Sequence, residues 1–150
     1  MKAFKFNLQR VLEWREMQVR AAEEKLNQLQ QQLTLLKQQE EALRSEYIAA
    51  ESRVSALPTM NGADMQSLAG FRLSTAKHLK TNQAQQQQYA VLIAEQRERM
   101  VKARGDHKVL EKLKEQRRRN WTYLNDREME DTAAEVFLAN WSRADSKGSK

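Results

Sequence analysis

The chain has 150 residues, of which 40% are hydrophobic and 31% are charged, with only four glycines and one proline. This scarcity of turn residues favours long helices, and the absence of cysteine excludes a disulfide framework and a thiolate metal site. The formal charge of +6 predicts an acidic partner. Charge alone does not decide whether that partner is a nucleic acid, an anionic lipid or an acidic protein surface.

The first predicted element is a helix over residues 8–56. Apolar side chains recur at alternating steps of four and three residues from Leu8 to Leu57, and only Arg15 and Glu40 interrupt them. A heptad pattern of this length is typical of a coiled-coil seam, which needs a partner helix. The N-terminus lacks the apolar core of a signal peptide, and no apolar run in the chain is long enough to cross a bilayer, so we expect no membrane insertion.

A turn is predicted over residues 57–63, because Pro58 cannot donate a helical hydrogen bond and Asn61-Gly62 favours a turn. Asp64 is the expected cap of a second helix over residues 64–141, in which no proline occurs. Residues 142–150 are expected to form a disordered basic tail. The chain is therefore predicted to be all-α, a single long antiparallel two-helix coiled-coil hairpin whose second helix is longer and overhangs at the open end.

Folding back about residues 61–63 pairs Tyr47 with Leu79 and places Glu40 opposite Gln85 and Gln86. Two interpretations of Glu40 stay open. It either forms a polar layer that fixes the register of the two helices or extends its carboxylate into solvent.

The same register leaves the residues from 121 onward without a partner on the first helix. This overhang carries an unusual number of large apolar side chains: Trp121, Tyr123, Leu124, Met129, Val136, Phe137, Leu138 and Trp141. Exposed apolar surface of this kind marks an interaction site. The alternative is that the segment bends back and packs on Phe4 and Phe6.

Signatures of nucleotide, dinucleotide, zinc-protease and hydrolase sites are missing, so we expect no catalytic residue, no cofactor and no metal. His107 and Glu111 share a helix face, but two ligands make a poor metal site. Eight basic and three acidic residues lie between Lys102 and Arg119. This tract is either the solvated face of a coiled coil or a phosphate-binding surface, so a basic nucleic-acid-binding coiled coil is kept as an alternative function.

Three segments carry a resemblance to a known family. Phe6 to Glu16, with the order Leu-Gln-Arg-Val-Leu before an aromatic-Arg-Glu triplet, closely resembles the opening of the flagellar export protein FliJ. The segment Leu110 to Arg118 is similar to the basic second-helix segment of that family, and Glu128 to Ala134 is similar to its acidic C-terminal motif.

The resemblance implies a non-enzymatic stalk and adaptor of the flagellar type III protein export apparatus. Its implied partners are the hexameric export ATPase, whose assembly it promotes, the cytoplasmic domain of the export gate and the export chaperones, with no nucleic acid. The implied location is the cytoplasm, at the periphery of the inner membrane's cytoplasmic face. The equivalent stalk of a virulence type III secretion system is the near alternative.

The resemblance also implies two sets of site residues. Tyr47 and Phe71 are candidates for contacting the export gate from the hairpin end. The candidates for binding the ATPase lie at the open end and are Phe6, Leu8, Arg10, Trp14, Arg15, Arg117, Arg118, Arg119, Trp121 and Phe137.

Overall fold

The computed structural model describes the backbone of residues 3–147 and the side chains of residues 3–145. Helix α1 spans Gln9–Ser55 and helix α2 spans Gly62–Lys147, and the described residues include no strand. The helices pack against each other in opposite directions, since the Ala22 carbonyl accepts a hydrogen bond from Gln96 and the later Leu36 carbonyl accepts one from the earlier Asn82. The predicted all-α two-helix hairpin is confirmed.

The heptad seam of α1 forms the contact surface as predicted. Every seam position from Leu8 to Val54 is buried or half-buried, whereas Leu57, beyond the end of α1, is 45% exposed. Leu12 and Leu26 are the most deeply covered apolar positions of the helix. Full burial of such a side chain stabilises a fold by about 1.5–3 kcal/mol, so the seam holds the helices together.

Helix α2 begins two residues earlier than predicted, because its cap is Asn61 and not Asp64. The Asn61 side-chain oxygen accepts a hydrogen bond of 2.8 Å from the Asp64 amide, and the Asp64 carboxylate accepts one of 3.3 Å from the Asn61 amide. This reciprocal pair is a capping box, in which two amides without helical partners are satisfied. Gly62 has a negative φ and starts the helix directly.

Helix α2 also ends later than predicted. Residues 142–147 are helical in the structure, where a disordered basic tail was predicted over residues 142–150, and residues 148–150 lie outside the described residues. No proline or glycine occurs between Gly105 and Gly148, and the intervening residues keep the backbone hydrogen-bond pattern of the helix. Helix α1 ends at Ser55, one residue before the predicted end at residue 56, and the loop begins there.

The chain divides into two compact units, each built from both helices. One comprises Met1–Met17 with Arg104–Lys150, and its core contains Phe6 and Leu12. The other is Gln18–Ala103, in which Leu26 and Ile93 are buried. The predicted single domain over the whole chain stays a prediction.

A polar layer interrupts the core of the unit Gln18–Ala103. The Gln86 amide donates hydrogen bonds of 2.6 Å to both the Glu40 carboxylate and the Asn82 side-chain oxygen, and Gln83 donates one of 3.4 Å to Glu40. Arg44 pairs with the same carboxylate at 2.7 Å. These contacts favour the polar-layer interpretation of Glu40, whose side chain is 18% exposed.

The same contacts lower the pKa of Glu40 from its ordinary value. The largest cause is the hydrogen bond from Arg44, followed by those from Gln86 and Gln83. Each donor favours the ionised carboxylate. The layer therefore depends on a charged Glu40.

Two buried amides also bond across the seam to the backbone of α1. Asn82 is 7% exposed and donates to the Leu36 carbonyl at 3.0 Å, while Gln96 is 6% exposed and donates to the Ala22 carbonyl at 3.1 Å. Asn82 lies fourteen residues before Gln96, and Leu36 lies the same distance after Ala22. Both bonds are consequently satisfied by one register, and a shift of either helix would break both.

Candidate functional site

At the open end of the hairpin, an aromatic contact joins α2 to the segment that precedes α1. The rings of Phe4 and Trp121 lie 6.1 Å apart with a tilt of 54°. Phe6 is buried beside them, and the Arg117 guanidinium lies 5.8 Å from the centre of its ring. Three candidates for ATPase binding, Phe6, Arg117 and Trp121, are therefore used in part for packing this end of the hairpin.

Polar contacts hold the next turns of the open end. Arg15, which interrupts the seam, pairs with Asp106 at 3.0 Å and lies 4.9 Å from the Trp14 ring. Lys114 donates a hydrogen bond of 2.9 Å to the Gln9 side chain. Arg15 thus has a structural partner, and the indole of Trp14 is left 46% exposed beside it.

The three successive arginines of α2 have different environments. Arg117 lies over Phe6, and Arg119 forms an ion pair with Glu115 on its own helix. Arg118 is exposed. The basic tract is thus partly occupied by internal contacts, which favours the solvated coiled-coil face over a continuous phosphate-binding surface. The candidates at this end that are exposed and have no packing or ion-pair contact described above are Arg10, Arg118 and Phe137. Trp14, Arg117 and Arg119 are exposed as well but contact Arg15, Phe6 and Glu115, while Leu8 is half-buried.

Beyond Trp121, α2 continues as an exposed helix. Its large apolar side chains are not folded back onto Phe4 and Phe6, so that alternative holds for Trp121 alone. An open groove of about 540 Å³ runs along one side of this segment. We call it the C-terminal face, and its residues are Met129, Thr132, Ala133, Val136, Phe137 and Asn140.

The hairpin end contains both candidates for contacting the export gate. The rings of Tyr47 and Phe71 are stacked at 6.4 Å with an angle of 10°. Tyr47 thus stacks on Phe71, whereas the predicted register set Leu79 opposite it. The Tyr47 hydroxyl donates a hydrogen bond of 2.8 Å to Glu51, which also pairs with Arg72.

This network changes two ionisation equilibria. The pKa of Tyr47 is raised, first because Glu51 accepts its hydrogen bond and then through burial. The pKa of Glu51 is lowered, first by the bond from Tyr47 and then by the bond from Arg72. Tyr47 and Phe71 are thus parts of a hydrogen-bonded packing cluster, and Phe71 keeps 36% of its surface exposed.

The hairpin end also contains a groove that the sequence did not predict. It has a volume of about 680 Å³, and Leu73 and Met65 on its border are 76% and 61% exposed. The available signal was the position of these residues outside the heptad seam, which leaves them facing solvent. We call it the tip groove, and its residues are Met60, Met65, Leu68, Ala69, Arg72 and Leu73.

Comparison with known proteins gives one match. Residues 4–132 match the family described as flagellar FliJ protein. The chain belongs to the FliJ family. No curated protein and no solved structure matches it. Membership confirms the predicted resemblance and connects the chain with flagellar protein export in general.

The FliJ match covers both ends of the hairpin but only part of the C-terminal face. It includes the Phe4–Trp121 contact, the tip groove and the acidic segment as far as Thr132. Val136 and Phe137 lie beyond it. The apolar half of the C-terminal face is consequently known from this chain's own structure and not from the family match.

The structure of this FliJ family chain contains little that resembles a metal or membrane site. His107 Nδ1 lies 3.7 Å from a Glu111 carboxylate oxygen, but the described residues hold no group of three or more His, Cys, Asp or Glu side chains suited to a metal. Within residues 3–147, neither helix has a stretch apolar enough to span a bilayer. The tip groove and the C-terminal face are exposed apolar surfaces suited to contact with other proteins.

Proposed function

We propose that this protein is a non-enzymatic stalk and adaptor of the flagellar type III export apparatus. Its open end binds the hexameric export ATPase and promotes assembly of the hexamer, while the hairpin end couples the ATPase to the cytoplasmic domain of the export gate. Export chaperones are further partners. In this proposal the protein is cytoplasmic and joins the inner membrane only through the export apparatus.

One observation carries the proposal. Helix α2 extends past the last ring contact with α1, at Trp121, and exposes large apolar side chains as far as Trp141. Phe137 is 69% exposed and Trp141 is 62% exposed, although burial of an aromatic side chain is energetically favourable. A segment of this kind is suited to burial in a partner, and FliJ family membership makes the export ATPase the leading candidate.

The structure supports a refined set of ATPase contacts. Arg10, Trp14 and Arg118 are exposed at the open end and are free of the packing roles of Phe6, Arg15 and Arg117. We therefore assign the direct contacts to these three and to the C-terminal face. Phe6, Arg15, Arg117 and Trp121 contribute instead to the packing of this end of the hairpin.

The gate contact is refined in the same way. Tyr47 and Phe71 stabilise the hairpin end, and the tip groove offers the larger exposed apolar surface. Methionine side chains adapt to partners of different shape, which suits a surface that meets both a gate domain and chaperones. We propose the tip groove as the principal contact and Phe71 as a peripheral one.

The test of the proposal combines binding and physiology. The purified chain should form a complex with the cognate export ATPase in analytical ultracentrifugation and should increase the hexamer fraction. Deletion of its gene should abolish motility and export of flagellar proteins. Absence of both the complex and the motility defect would contradict the proposal, and dependence of a virulence secretion system instead would support the alternative stalk.

A further inference from the structure

The exposed C-terminal part of α2 is acidic as well as apolar. Between Asp126 and Glu135 it carries five carboxylates and one arginine, Arg127, for a net charge of −4. In the described part of the chain no ion pair joins any of these carboxylates to a basic side chain, whereas Asp106, Glu40, Glu51 and Glu115 each have an Arg partner. The carboxylates are Asp126, Glu128, Glu130, Asp131 and Glu135.

These carboxylates fall on different sides of the helix. Asp126 and Glu130 precede Ala133 and Phe137 at steps of four, three and four residues, which places them on one line beside the C-terminal face. Glu128 and Glu135 lie four residues before and three residues after Thr132, at the polar edge of the same face. One pair of charges therefore borders the apolar side of the C-terminal face, which contains Ala133 and Phe137, and an equal pair borders its polar edge at Thr132.

The C-terminal face shares only Thr132 with the line that would continue the seam that α1 occupies. Seam spacing that runs through Trp121 and the half-buried Asn125 next reaches Glu128, Thr132 and Glu135, so two of its three positions are charged. A helix packed as a continuation of α1 would bury those carboxylates, which is costly without partners. The apolar groove therefore suits a partner that approaches from a different side.

A second copy of this chain is a poor occupant for the same surface. Two such segments would bring their net charges of −4 together, and like charges in a contact oppose association. A partner surface that carries basic side chains beside an apolar groove would instead complement both the apolar C-terminal face of this chain and the carboxylates at its border.

We infer that the C-terminal face docks one-sidedly onto an apolar groove of the partner protein, with Lys or Arg side chains of that partner pairing with Asp126 and Glu130. This inference rests on the proposed function, in which the partner is the export ATPase. It names the chemistry of the ATPase surface and the side of α2 that meets it. Glu128 and Glu135 stay in solvent.

The test compares two full-length variants of equal charge. Asp126→Asn with Glu130→Gln removes the border pair, and Glu128→Gln with Glu135→Gln removes the outer pair. Binding to the cognate export ATPase is measured by isothermal titration calorimetry at low and high salt. The border variant should bind about tenfold more weakly and with a smaller salt dependence, because its charges contact the partner. The outer variant should stay within about twofold of the parent, because its charges border the polar edge at Thr132 and remain in solvent, where salt screens them.

The outcomes separate the inference from the proposed function. If the parent chain binds the ATPase and both variants lose affinity equally, or neither does, one-sided docking is wrong and the proposed function stands. If the parent chain does not bind the ATPase, both are wrong. Sedimentation of the parent chain alone completes the test, since a dimer abolished by Phe137→Ser would show that a second copy is the occupant.

Discussion

Phe4 and Trp121 mark the point at which α2 loses its partner. Their rings lie 6.1 Å apart. After Trp121, the large apolar side chains are at least half exposed, namely Tyr123, Leu124, Met129, Val136, Phe137, Leu138 and Trp141. The pair therefore has two consequences. It closes the open end of the hairpin, and it separates the part of α2 that packs internally from the part available to another protein.

The aromatic pair should contribute measurably to stability. Trp121→Ala removes the ring contact with Phe4 and should lower the free energy of unfolding by about 1–3 kcal/mol, from lost burial and lost ring interaction. Urea unfolding followed by circular dichroism measures the change. Tyr123→Ala, at a side chain that is 67% exposed, is the control and should change the value by less than about 0.5 kcal/mol. Equal effects of the two substitutions would contradict the packing role of Trp121.

Arg118, which is exposed at the open end, should act in binding and not in folding. Arg118→Ala should weaken ATPase binding about three- to tenfold and make it less sensitive to salt, since an exposed charge contributes mainly to encounter and orientation. The free energy of unfolding of the Arg118→Ala variant should equal that of the parent chain. Lys80→Ala removes an exposed charge of the other unit and should leave ATPase affinity as it is. An effect of Lys80 as large as that of Arg118 would indicate a general field rather than a contact.

The tip groove predicts a separation between gate binding and stability. Leu73→Ser should weaken binding to the purified cytoplasmic domain of the export gate about tenfold, with no loss of stability, because Leu73 is 76% exposed. Val91→Ser changes another exposed aliphatic side chain of α2 and serves as the control. Phe71→Ala should instead lower the unfolding free energy by about 1 kcal/mol, since Phe71 stacks on Tyr47. Unaltered gate binding by the Leu73 variant would exclude the tip groove as the contact.

The polar layer predicts a loss of stability in acid. The pKa of Glu40 is lowered from its ordinary value by hydrogen bonds from Arg44, Gln86 and Gln83. A carboxyl whose folded-state pKa is lowered stabilises the fold above its unfolded pKa, and this contribution disappears as the pH falls through the folded-state pKa. Thermal unfolding at neutral pH and at about pH 3 should therefore show a smaller acid-induced decrease in Tm for Glu40→Gln than for the parent.

Glu51 provides a check on that interpretation. Its pKa is also lowered, first by the Tyr47 hydrogen bond and then by Arg72, so Glu51→Gln should reduce the acid sensitivity in the same direction. Glu46→Gln, at an exposed carboxylate, should leave it unchanged. If all three variants kept the full acid sensitivity, other carboxylates would be responsible.

The seam of α1 could be predicted from the sequence because heptad periodicity is a local property. Each position from Leu8 to Val54 faces the other helix whatever the exact pairing. The pairing itself depends on the turn, and the predicted centre at residues 61–63 was too late, since α1 ends at Ser55 and α2 begins at Gly62. The earlier fold-back is consistent with the stacking of Tyr47 on Phe71 near the turn, whereas farther from the turn Glu40 bonds to Gln86 as the predicted register required.

The candidate sites were predictable in region and less so by residue. Sequence motifs located the open end and the hairpin end, but they could not show that Arg15 would pair with Asp106 or that Phe6 would be covered by Arg117. Such contacts join residues distant in sequence and depend on the final register. The tip groove was missed because Met65 and Leu73 lie outside the seam, where periodicity carries no information about neighbours.

The central claim is that α2 beyond Trp121 binds the export ATPase, and one measurement tests it directly. Affinity for the cognate ATPase is determined for the full-length chain, for Phe137→Ser on the C-terminal face and for Val109→Ser, an exposed aliphatic position of α2 before Trp121. The account predicts a loss of tenfold or more for Phe137→Ser, about 1.4 kcal/mol or above, and unchanged affinity for Val109→Ser. Parent-like affinity of the Phe137→Ser chain would contradict it.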